Sequence, residues 1–467
     1  MMIPLLSLFL FQGPDTLWTR TFGGTDYEIG RSLALNERGE IVVLGETGSF
    51  GAGKTDLYLL KVSADGETLW TRTYGGVGDD AGYSIQRTSD DCYIVVGATE
   101  DYYSINRDVY LLKIDEDGNL IWSRTYGGMG YEEGRSVWEN VDRGYIIAGI
   151  TTSSNPTSSD YDVYLIRTDS QGETLWTKTI DGHGRDEASS VQQTSDGGFI
   201  ITGLTTSDEG DFDVYLIKTD SDGNILWTRT FGSFRDDGGR CVRQTFDGGY
   251  IIAGYLRSSL CWSRVYLIKT DANGDPIWTR FYNGYTDGGF SVVQTRDSCY
   301  TVVGGYYFDI YLSKVDSRGS ILWSSRYSVA DCWTVGLSLQ PTEDNGYIIA
   351  GILIPFNSDN KNGQVYLIRT ESEIGISERE GLGGFGLRLY PNPFRRRLWI
   401  ELNRAPSKMR VRILDHTGRI IRTLELSSSP MVWDGCDDRG HPVPAGVYFL
   451  QLKSEEMSVT EKIVLLR

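Results

Sequence analysis

Short apolar runs separated by polar turns recur along most of the 467-residue chain. One unit shows the pattern, with runs at 189–194 (SSVQQT), 198–203 (GFIITG), 213–219 (DVYLIKT) and 225–231 (ILWTRTF). Each run has the length and the Val, Ile, Tyr and Thr content of a β-strand, and Gly, Asp and Asn mark the turns between them. The pattern therefore predicts units of four antiparallel strands joined by tight turns.

The unit repeats at a nearly constant spacing, which is the sequence signature of a repeat architecture. A tryptophan on the fourth run marks each unit, and the steps between successive tryptophans are 52, 52, 54, 51, 51 and 45 residues, at Trp18, Trp70, Trp122, Trp176, Trp227, Trp278 and Trp323. The runs YIIAG and VYLI are apolar on both faces, as expected of sheets packed between two neighbours. Radially repeated four-stranded units predict a β-propeller, whereas a solenoid needs capping repeats, which the sequence lacks.

The ends of the repeat region predict how the propeller closes. A lone tryptophan run at 16–22 precedes the first complete unit, and the last unit ends at 364–370 without one. Three strands from the last unit and one from the N-terminus make a complete blade, which pairs backbone groups that would otherwise form an open sheet edge. We therefore predict an all-β chain in which residues 15–371 form seven blades, with the N-terminal strand closing the last one.

The order of the runs resembles that of WD-repeat propellers, although the Gly-His and Trp-Asp signatures of that family are missing. A closer resemblance is to the propeller repeats of secreted bacterial proteins, which contain the motifs DGGYIIAG, DVYLIKTD and LWTRTYGG. That resemblance covers residues 15–371.

The composition changes after the last repeat. A Gly- and Glu-rich linker is predicted at 372–387, and residues 388–467 contain short alternating strands with Pro and Gly turns, which is typical of a small immunoglobulin-like sandwich. Five motifs in this tail, YPNPF, ILDHTGR, WDGCDDRG, PAGVYFLQL and EKIVLLR, resemble the type A C-terminal sorting domain of the type IX secretion system, which is related to the immunoglobulin-like fold of flagellar hook-capping proteins. The motif residues are Tyr390, Pro391, Asn392, Pro393, Asp415, Gly418, Arg419, Trp433, Asp434, Gly435, Gly446 and Tyr448.

The resemblance of the tail implies a partner and a destination. The partner is the type IX secretion machinery, and the destination is the outer cell surface or the medium, with the tail removed or used for attachment. The alternative is a domain that only packs against the propeller. Residues 1–14 include an apolar run, IPLLSLFLF, too short to span a bilayer and suited to a signal peptide, although no basic start precedes it. A truncated start or a buried segment is the alternative.

Charge limits the choice of partners. Residues 388–467 carry a net charge of +5. Since the whole chain carries −18, the rest of the chain carries −23. An acidic body argues against nucleic acid, whose phosphates require a basic surface. The three histidines and six cysteines do not stand at the spacings typical of metal ligands, so we expect no metal and no cofactor. We expect a monomer.

One acid recurs before the first run of six units, at Glu28, Asp80, Glu132, Asp186, Asp237 and Asp287. Six carboxylates around the mouth of the central channel would attract a cation or a cationic group. An acid repeated in every blade more often caps a turn by accepting backbone N–H bonds, and we favour this structural interpretation.

The loops before the first strand and after the second strand share one face of the predicted propeller, and they vary from unit to unit. Binding residues usually lie on variable loops held by a rigid scaffold, so we predict that this variable-loop face binds a polysaccharide or a surface protein. The candidate residues are the aromatics Tyr102, Tyr103, Trp262 and Phe356. No set of residues stands out as catalytic. An extracellular glycan hydrolase or lyase, with carboxylates at the channel mouth as acid and base, is the alternative.

Overall fold

The computed structural model describes residues 11–100, 106–152, 160–182, 184–257, 263–356, 362–372, 387–390, 397–402, 410–415, 419–424, 431–453 and 458–465. The chain divides into two compact units, Met1–Glu373 and Ile374–Arg467. Within the described ranges the regular elements are strands, and none of the chain there forms a helix long and apolar enough to cross a membrane.

In its described part the first unit contains seven blades of a β-propeller, each with four antiparallel strands, and the sheet of blade 6 has one further short strand. From blade 1 to blade 7, the first strands are Glu28–Leu35, Ala81–Arg87, Glu132–Glu139, Asp186–Gln193, Asp237–Gln244, Gly289–Gln294 and Cys332–Pro341. The second strands are Ile41–Thr47, Tyr93–Glu100, Tyr145–Thr151, Phe199–Thr206, Tyr250–Arg257, Tyr300–Tyr306 and Tyr347–Pro355. The third strands are Asp56–Val62, Arg107–Ile114, Asp162–Thr168, Phe212–Thr219, Ser263–Thr270, Asp309–Val315 and Gln364–Thr370. The fourth strands are Thr68–Tyr74, Leu120–Tyr126, Thr174–Ile180, Ile225–Phe231, Pro276–Thr286, Ile321–Tyr327 and Thr16–Phe22.

Blade 7 takes its fourth strand from the N-terminal end of the repeat region. Thr16–Phe22 pairs antiparallel with Gln364–Thr370, and the seven-bladed prediction is therefore confirmed. A two-residue strand, Phe11–Gln12, pairs in parallel with the fourth strand of blade 6. This strand falls within the predicted signal peptide, whose residues 1–10 lie outside the described ranges.

The repeated tryptophan fills the space between one blade and the next. Five of these indoles lie 6.0–6.2 Å, centroid to centroid, from the aromatic ring that begins the second strand of the following blade, in the pairs Trp122–Tyr145, Trp176–Phe199, Trp227–Tyr250, Trp278–Tyr300 and Trp323–Tyr347. The glycine of the Asp-x-x-Gly turn approaches the same indole, and a Cβ on Gly223 would stand 2.6 Å from Trp176. This packing explains why the turn glycine and the tryptophan recur together.

A buried or half-buried cation forms an ion pair within each of blades 2 to 7. The Lys or Arg near the end of the third strand forms an ion pair with the Asp of the turn that precedes the second strand; the pairs are Lys113–Asp90, Arg167–Asp142, Lys218–Asp196, Lys269–Asp247, Lys314–Asp297 and Arg369–Asp344. The Lys218 and Lys269 side chains are each only 3% exposed. Because an unpaired buried charge is strongly destabilising, these pairs account for the Asp of DGGYIIAG and the Lys of VYLIKT.

The second unit contains two antiparallel sheets. The first has the strand order Leu387–Tyr390, Leu398–Leu402 and Met431–Trp433, and the second has the order Ile420–Leu424, Arg410–Asp415, Gly446–Lys453 and Ser458–Leu465. Side chains from both sheets, including those of Trp433 and Leu450, form one buried core. The immunoglobulin-like topology of this tail stays a prediction.

Candidate functional site

Each blade interrupts the pairing of its first and second strands at the same place. In blade 4 the register passes from Ala188 opposite Gly203 to Ser190 opposite Thr202, which leaves Ser189 without a partner. The same one-residue bulge occurs in the other six blades, at Arg31, Tyr83, Arg135, Arg240, Phe290 and Leu337. A β-bulge changes the direction in which the extra residue presents its side chain.

The last glycine of the DGGYIIAG motif makes room for this bulge. A Cβ on Gly203 would stand 1.7 Å from the carbonyl oxygen of Glu187, and the equivalent glycines of the other blades meet the equivalent carbonyl at 1.7–2.1 Å. Because backbone cannot yield by such a distance, only glycine fits there. The most repeated motif of the chain is therefore tied to the presentation of one variable residue on the first strand.

We call the seven bulged residues, Arg31, Tyr83, Arg135, Ser189, Arg240, Phe290 and Leu337, the inner ring. Our sequence prediction missed them. A signal was present, because these residues differ widely in chemistry while the Gly or Ala before them and the Ser or Cys after them hardly change. A variable position within a uniform strand is easily taken for neutral drift when the bulge that singles it out is unknown.

In blades 1 to 3 the inner-ring residues belong to a continuous network of Arg, Tyr and Glu side chains that reaches Glu187 of blade 4. The Arg31 guanidinium lies over the Tyr83 ring, 5.3 Å from its centroid. The Tyr83 hydroxyl donates to Glu133 over 3.1 Å, and Arg135 forms ion pairs with both Glu133 and Glu187. The Glu133 and Glu187 side chains are 7% and 6% exposed, so this network is largely shielded from solvent.

Glu133 is the most heavily bonded carboxylate of this network. It also accepts a hydrogen bond from Tyr131 (2.6 Å), and the Arg107 Nε lies 3.2 Å from it. Burial opposes its ionisation, but Arg135, Tyr131 and Arg107 together outweigh burial and hold the pKa of this carboxyl below its usual value. A general acid needs the opposite shift, so Glu133 is unsuited to the acid role of a glycan hydrolase.

Arg240 has a different environment from the other arginines of the inner ring. Its guanidinium lies 3.8 Å from the ring centroid of Phe290 and 4.9 Å from that of Tyr255. It donates to the backbone carbonyl of Asp287 (2.8 Å), and among the described residues it forms no ion pair. Burial lowers the pKa of Arg240 to about 10, which leaves it protonated at neutral pH. A cation held between two rings without a carboxylate partner is a suitable contact for an anionic or hydrogen-bond-accepting group.

The six acids predicted around the channel mouth have two kinds of surroundings. Asp287 is exposed. The other five, Glu28, Asp80, Glu132, Asp186 and Asp237, are at most 1% exposed. Each of the five accepts a hydrogen bond of 2.6–2.9 Å from the backbone N–H four residues earlier, at Gly24, Gly76, Gly128, Gly182 and Ser233. Their burial and these contacts favour the turn-capping interpretation over a ring of open carboxylates.

Four aromatic side chains, three of them exposed, gather on the variable-loop face at blades 6 and 7. We call Tyr306, Tyr307, Phe308 and Phe356 the aromatic patch. The Phe308 and Phe356 rings lie 5.2 Å apart and are 54% and 52% exposed. Tyr307 and Phe308 form the short turn between the second and third strands of blade 6, and Tyr307 adopts a φ of +54°. This left-handed conformation is rare for a tyrosine and often accompanies function.

Backbone hydrogen bonds fix the aromatic patch to its scaffold. The Thr334 N–H donates to the Phe308 carbonyl (2.8 Å), and the Phe356 N–H donates to the Asp331 carbonyl (2.8 Å). Of the four aromatics predicted to bind a ligand, only Phe356 lies within the described ranges; Tyr102, Tyr103 and Trp262 lie outside them. The partner of Phe356 in this patch, Phe308, was not predicted, because the two residues are far apart in sequence.

Several residues of the predicted sorting motif have defined roles in the core and turns of the tail. Trp433 is fully buried, with its ring 5.4 Å from that of Tyr448 and its Nε1 donating to the Cys436 carbonyl (2.9 Å). Asp415 accepts hydrogen bonds from the backbone and the side chain of Arg419. Asp434 caps the backbone N–H of Cys436, Gly435 has a φ of +75°, and Tyr390 and Gly446 lie in strands. Pro391, Asn392, Pro393 and Gly418 lie outside the described ranges.

The tail matches a known family. Residues 388–466 fit the profile of the secretion system C-terminal sorting domain. The chain is thus a seven-bladed propeller followed by a type IX C-terminal sorting domain. This domain interacts with the type IX secretion machinery, and it places the protein at the cell surface or in the extracellular space.

Other similarities are more distant. The regulatory protein FlaEY of Caulobacter vibrioides is 29% identical over 154 residues, which cover 28% of this chain and 16% of that protein. PorZ, described as an essential bacterial surface component of the type IX secretion system of Porphyromonas gingivalis, has 11% identity and a TM-score of 0.27 over 94% of this chain and 81% of its own. The β-propeller domain of the Pyrococcus furiosus Trilobed protease has 8% identity and a TM-score of 0.43 over 75% and 96% of the two chains. Nothing about the ligand of this protein is drawn from these similarities.

Proposed function

We propose that this protein is an exported binding module that recognises a polysaccharide or a surface protein through the variable-loop face of its propeller. The aromatic patch is the observation that carries the proposal. Soluble proteins rarely gather exposed apolar rings, and such patches mark interaction sites. Here backbone hydrogen bonds fix Phe308 and Phe356 to the first strand of blade 7 and the turn before it, so little conformational entropy is lost when a partner binds.

The inner ring and the carboxylates bonded to it support binding rather than hydrolysis or elimination. The carboxylates Glu133 and Glu187 are shielded and paired with arginines, and the pKa of Glu133 is held low. Arg240, held between Phe290 and Tyr255, offers a cation to an acceptor group instead. We therefore favour a binding module over the glycan hydrolase or lyase.

Binding of the labelled full-length protein to cells of the bacterium that produces it tests the proposal. Periodate treatment of the cells destroys polysaccharide, and protease treatment removes surface protein, so the treatment that abolishes binding identifies the class of ligand. We expect the double substitution Phe308→Ala and Phe356→Ala to weaken binding at least tenfold, as loss of buried aromatic anchors typically does.

Phe246 provides the matched control. It is 71% exposed and lies in the turn between the first and second strands of blade 5, on the opposite face. Phe246→Ala removes the same kind of side chain, and we expect it to bind like the wild type. Equal binding by the Phe308/Phe356 variant and the wild type would contradict the proposed site.

A further inference from the structure

The three charged residues of the inner ring are all arginines, although the chain carries a net charge of −18. Two of them are paired with carboxylates of the protein itself. Arg31 forms an ion pair with Glu46 (2.7 Å), and Arg135 forms ion pairs with Glu133 and Glu187. These carboxylates come from three positions: the residue two before the bulge, the equivalent residue of the next blade, and the residue opposite the first of these on the second strand.

The third arginine, Arg240, has no acid at any of these three positions. Gly238 of its own strand and Gly288 of the next blade stand at the two first-strand positions, and Tyr255 lies opposite Gly238 on the second strand. Tyr255 fills the space beside both glycines, because a Cβ on Gly238 or Gly288 would stand 2.7 or 2.5 Å from its atoms. Arg240 therefore has no carboxylate partner of its own within the described ranges.

The position of Arg240 makes this missing partner costly for the protein and available to a ligand. Arg240 is half-buried, in the first half of the strand Asp237–Gln244, which begins at the variable-loop face. Tyr255 and the Asp287 carboxylate favour its charged form, but burial outweighs them and lowers its pKa. A partly desolvated cation without a carboxylate partner is destabilising. A ligand that supplies a carboxylate would remove this cost.

We propose that Arg240 binds the carboxylate of an acidic sugar, so that the ligand of the variable-loop face is a polysaccharide that contains uronic acid. This inference rests on the binding function proposed above. Carboxylate is the group that the fold itself pairs with the other two arginines of the ring, and it accepts two parallel N–H bonds from a guanidinium.

The neighbours of Arg240 favour a sugar over an acidic protein side chain. Phe290 and Leu337 continue the inner ring in blades 6 and 7, and both pack against buried aliphatic side chains of blades 1 and 7. Apolar surroundings with one oriented polar contact are typical of sites for small organic groups. A uronic acid carries its carboxylate on a ring with apolar C–H faces, whereas an Asp or Glu side chain offers little apolar surface beside its charge.

Binding of the full-length protein to surface polysaccharide extracted from the bacterium that produces it tests this inference. The polysaccharide is used in its native form and after chemical reduction of its uronic carboxyl groups to alcohols, which removes the charge and keeps the sugar ring. We expect reduction to weaken binding by the wild type about tenfold or more, as for loss of a hydrogen bond to a charged group.

The outcomes separate this inference from the proposed function. Equal binding of the native and reduced polysaccharide would overturn the carboxylate site and leave the binding function in place. Binding to whole cells that protease abolishes, with no binding to the extracted polysaccharide, would overturn the choice of a polysaccharide. Absence of binding to both the cells and the polysaccharide would contradict the proposed function itself.

Arg240→Gln assigns the effect to this residue. We expect it to bind the native polysaccharide as weakly as the wild type binds the reduced form, and to lose nothing further on reduction. Arg243→Gln is the matched control, because Arg243 belongs to the same strand, lies over the Trp138 ring (5.8 Å from its centroid) and loses the same charge. We expect this control to bind like the wild type.

Arg240→Lys keeps the charge without the planar fork of the guanidinium. We expect it to show a smaller difference between the native and reduced polysaccharide than the wild type. A wild-type difference in Arg240→Gln would overturn the proposed site. If Arg240→Gln fails to fold, Arg240→Lys decides the question, and a difference as large as that of the wild type would count against the site.

Discussion

Two kinds of glycine explain most of the repetition in this chain. Gly203 and its equivalents are required because a Cβ would strike the backbone of the first strand. Gly223 and its equivalents occupy turns with positive φ and lie under the tryptophan of the preceding blade. Both constraints are steric and recur in every blade that has the same geometry, so the same residue returns at the same place.

Gly203→Ala tests the first constraint. The added methyl group would meet the Glu187 carbonyl at 1.7 Å, and the strands have to separate to admit it. We expect a loss of about 2–3 kcal/mol in the free energy of unfolding, as in other overpacked sites, seen as a lower midpoint in urea. Gly76→Ala is the control, because its Cβ would meet nothing within 4 Å, and we expect a change within about 0.5 kcal/mol. Equal stability of the two variants would show that the bulge does not require glycine.

At the scale of the element, the position of the strand that closes the ring is determined by the strand it pairs with. Its place at the N-terminal end of the repeat region does not change that position. Thr16–Phe22 pairs with Gln364–Thr370 in the way that each other fourth strand pairs with the third strand just before it. Its Trp18 also donates from Nε1 to the Ala64 carbonyl of blade 1 (3.0 Å), as Trp278 does to Ser317 one blade further on. The closing strand therefore makes the same contacts as the others.

Relocation of this strand tests that equivalence. A variant without residues 1–23 leaves Gln364–Thr370 as an open edge, and we expect it to melt at a markedly lower temperature or to aggregate. Adding residues 16–22 back after Thr370, through a copy of the turn at 220–224, recreates the order of the other blades. We expect this second variant to recover most of the wild-type melting temperature in calorimetry. Identical melting of the deleted variant and the wild type would show that the strand is not needed for closure.

At the scale of the whole molecule, the propeller contains two sets of carboxyl groups whose pKa values move in opposite directions. Near the blade junctions, burial raises the pKa values of Asp80, Asp186, Asp213 and Asp237. In the ion pairs between the turn Asp and the third-strand Lys or Arg of blades 2 to 7, hydrogen bonds and the paired cations outweigh burial. They lower the pKa values of Asp90, Asp196, Asp247, Asp297 and Asp344. The stability of the propeller therefore depends on pH in two separate ranges.

The melting temperature should be highest in mildly acidic solution. Burial, with the charges of Asp211 and Asp237, raises the pKa of Asp213 to about 6. Its contribution to stability is fully present below the unfolded pKa of about 3.9 and is lost as the pH rises through about 6. The lowered pKa values act in the opposite sense, since their contribution is lost as the pH falls below about 3.9. Scanning calorimetry from pH 3 to pH 8 should show a maximum between these ranges.

Asp213→Asn tests whether Asp213 causes the decline in melting temperature toward neutral pH. Because asparagine carries no proton that titrates there, we expect the decline in melting temperature between pH 5 and pH 7 to become shallower. The fall in melting temperature at acidic pH should stay unchanged, since this variant keeps the ion pairs within the blades. An unchanged slope between pH 5 and pH 7 would show that Asp213 titrates near its ordinary value.

The sequence by itself determined the architecture and the destination of this protein. Strand number and closure follow from the spacing of the tryptophans and from the partnerless runs at 16–22 and 364–370, because each run has to be paired. The sorting tail can be recognised from the sequence because its turn and core residues, such as Asp415 and Trp433, follow in order along one stretch of chain.

Only the tertiary structure decided where the candidate sites lie. The inner ring depends on a bulge that no local pattern reveals, and Arg240 meets Phe290 only because neighbouring blades place their first strands side by side. The aromatic patch joins Phe308 of blade 6 to Phe356 of blade 7. The physical reason is the same in each case: a repeat fixes the positions within a blade, whereas a binding site depends on which residues of different blades meet.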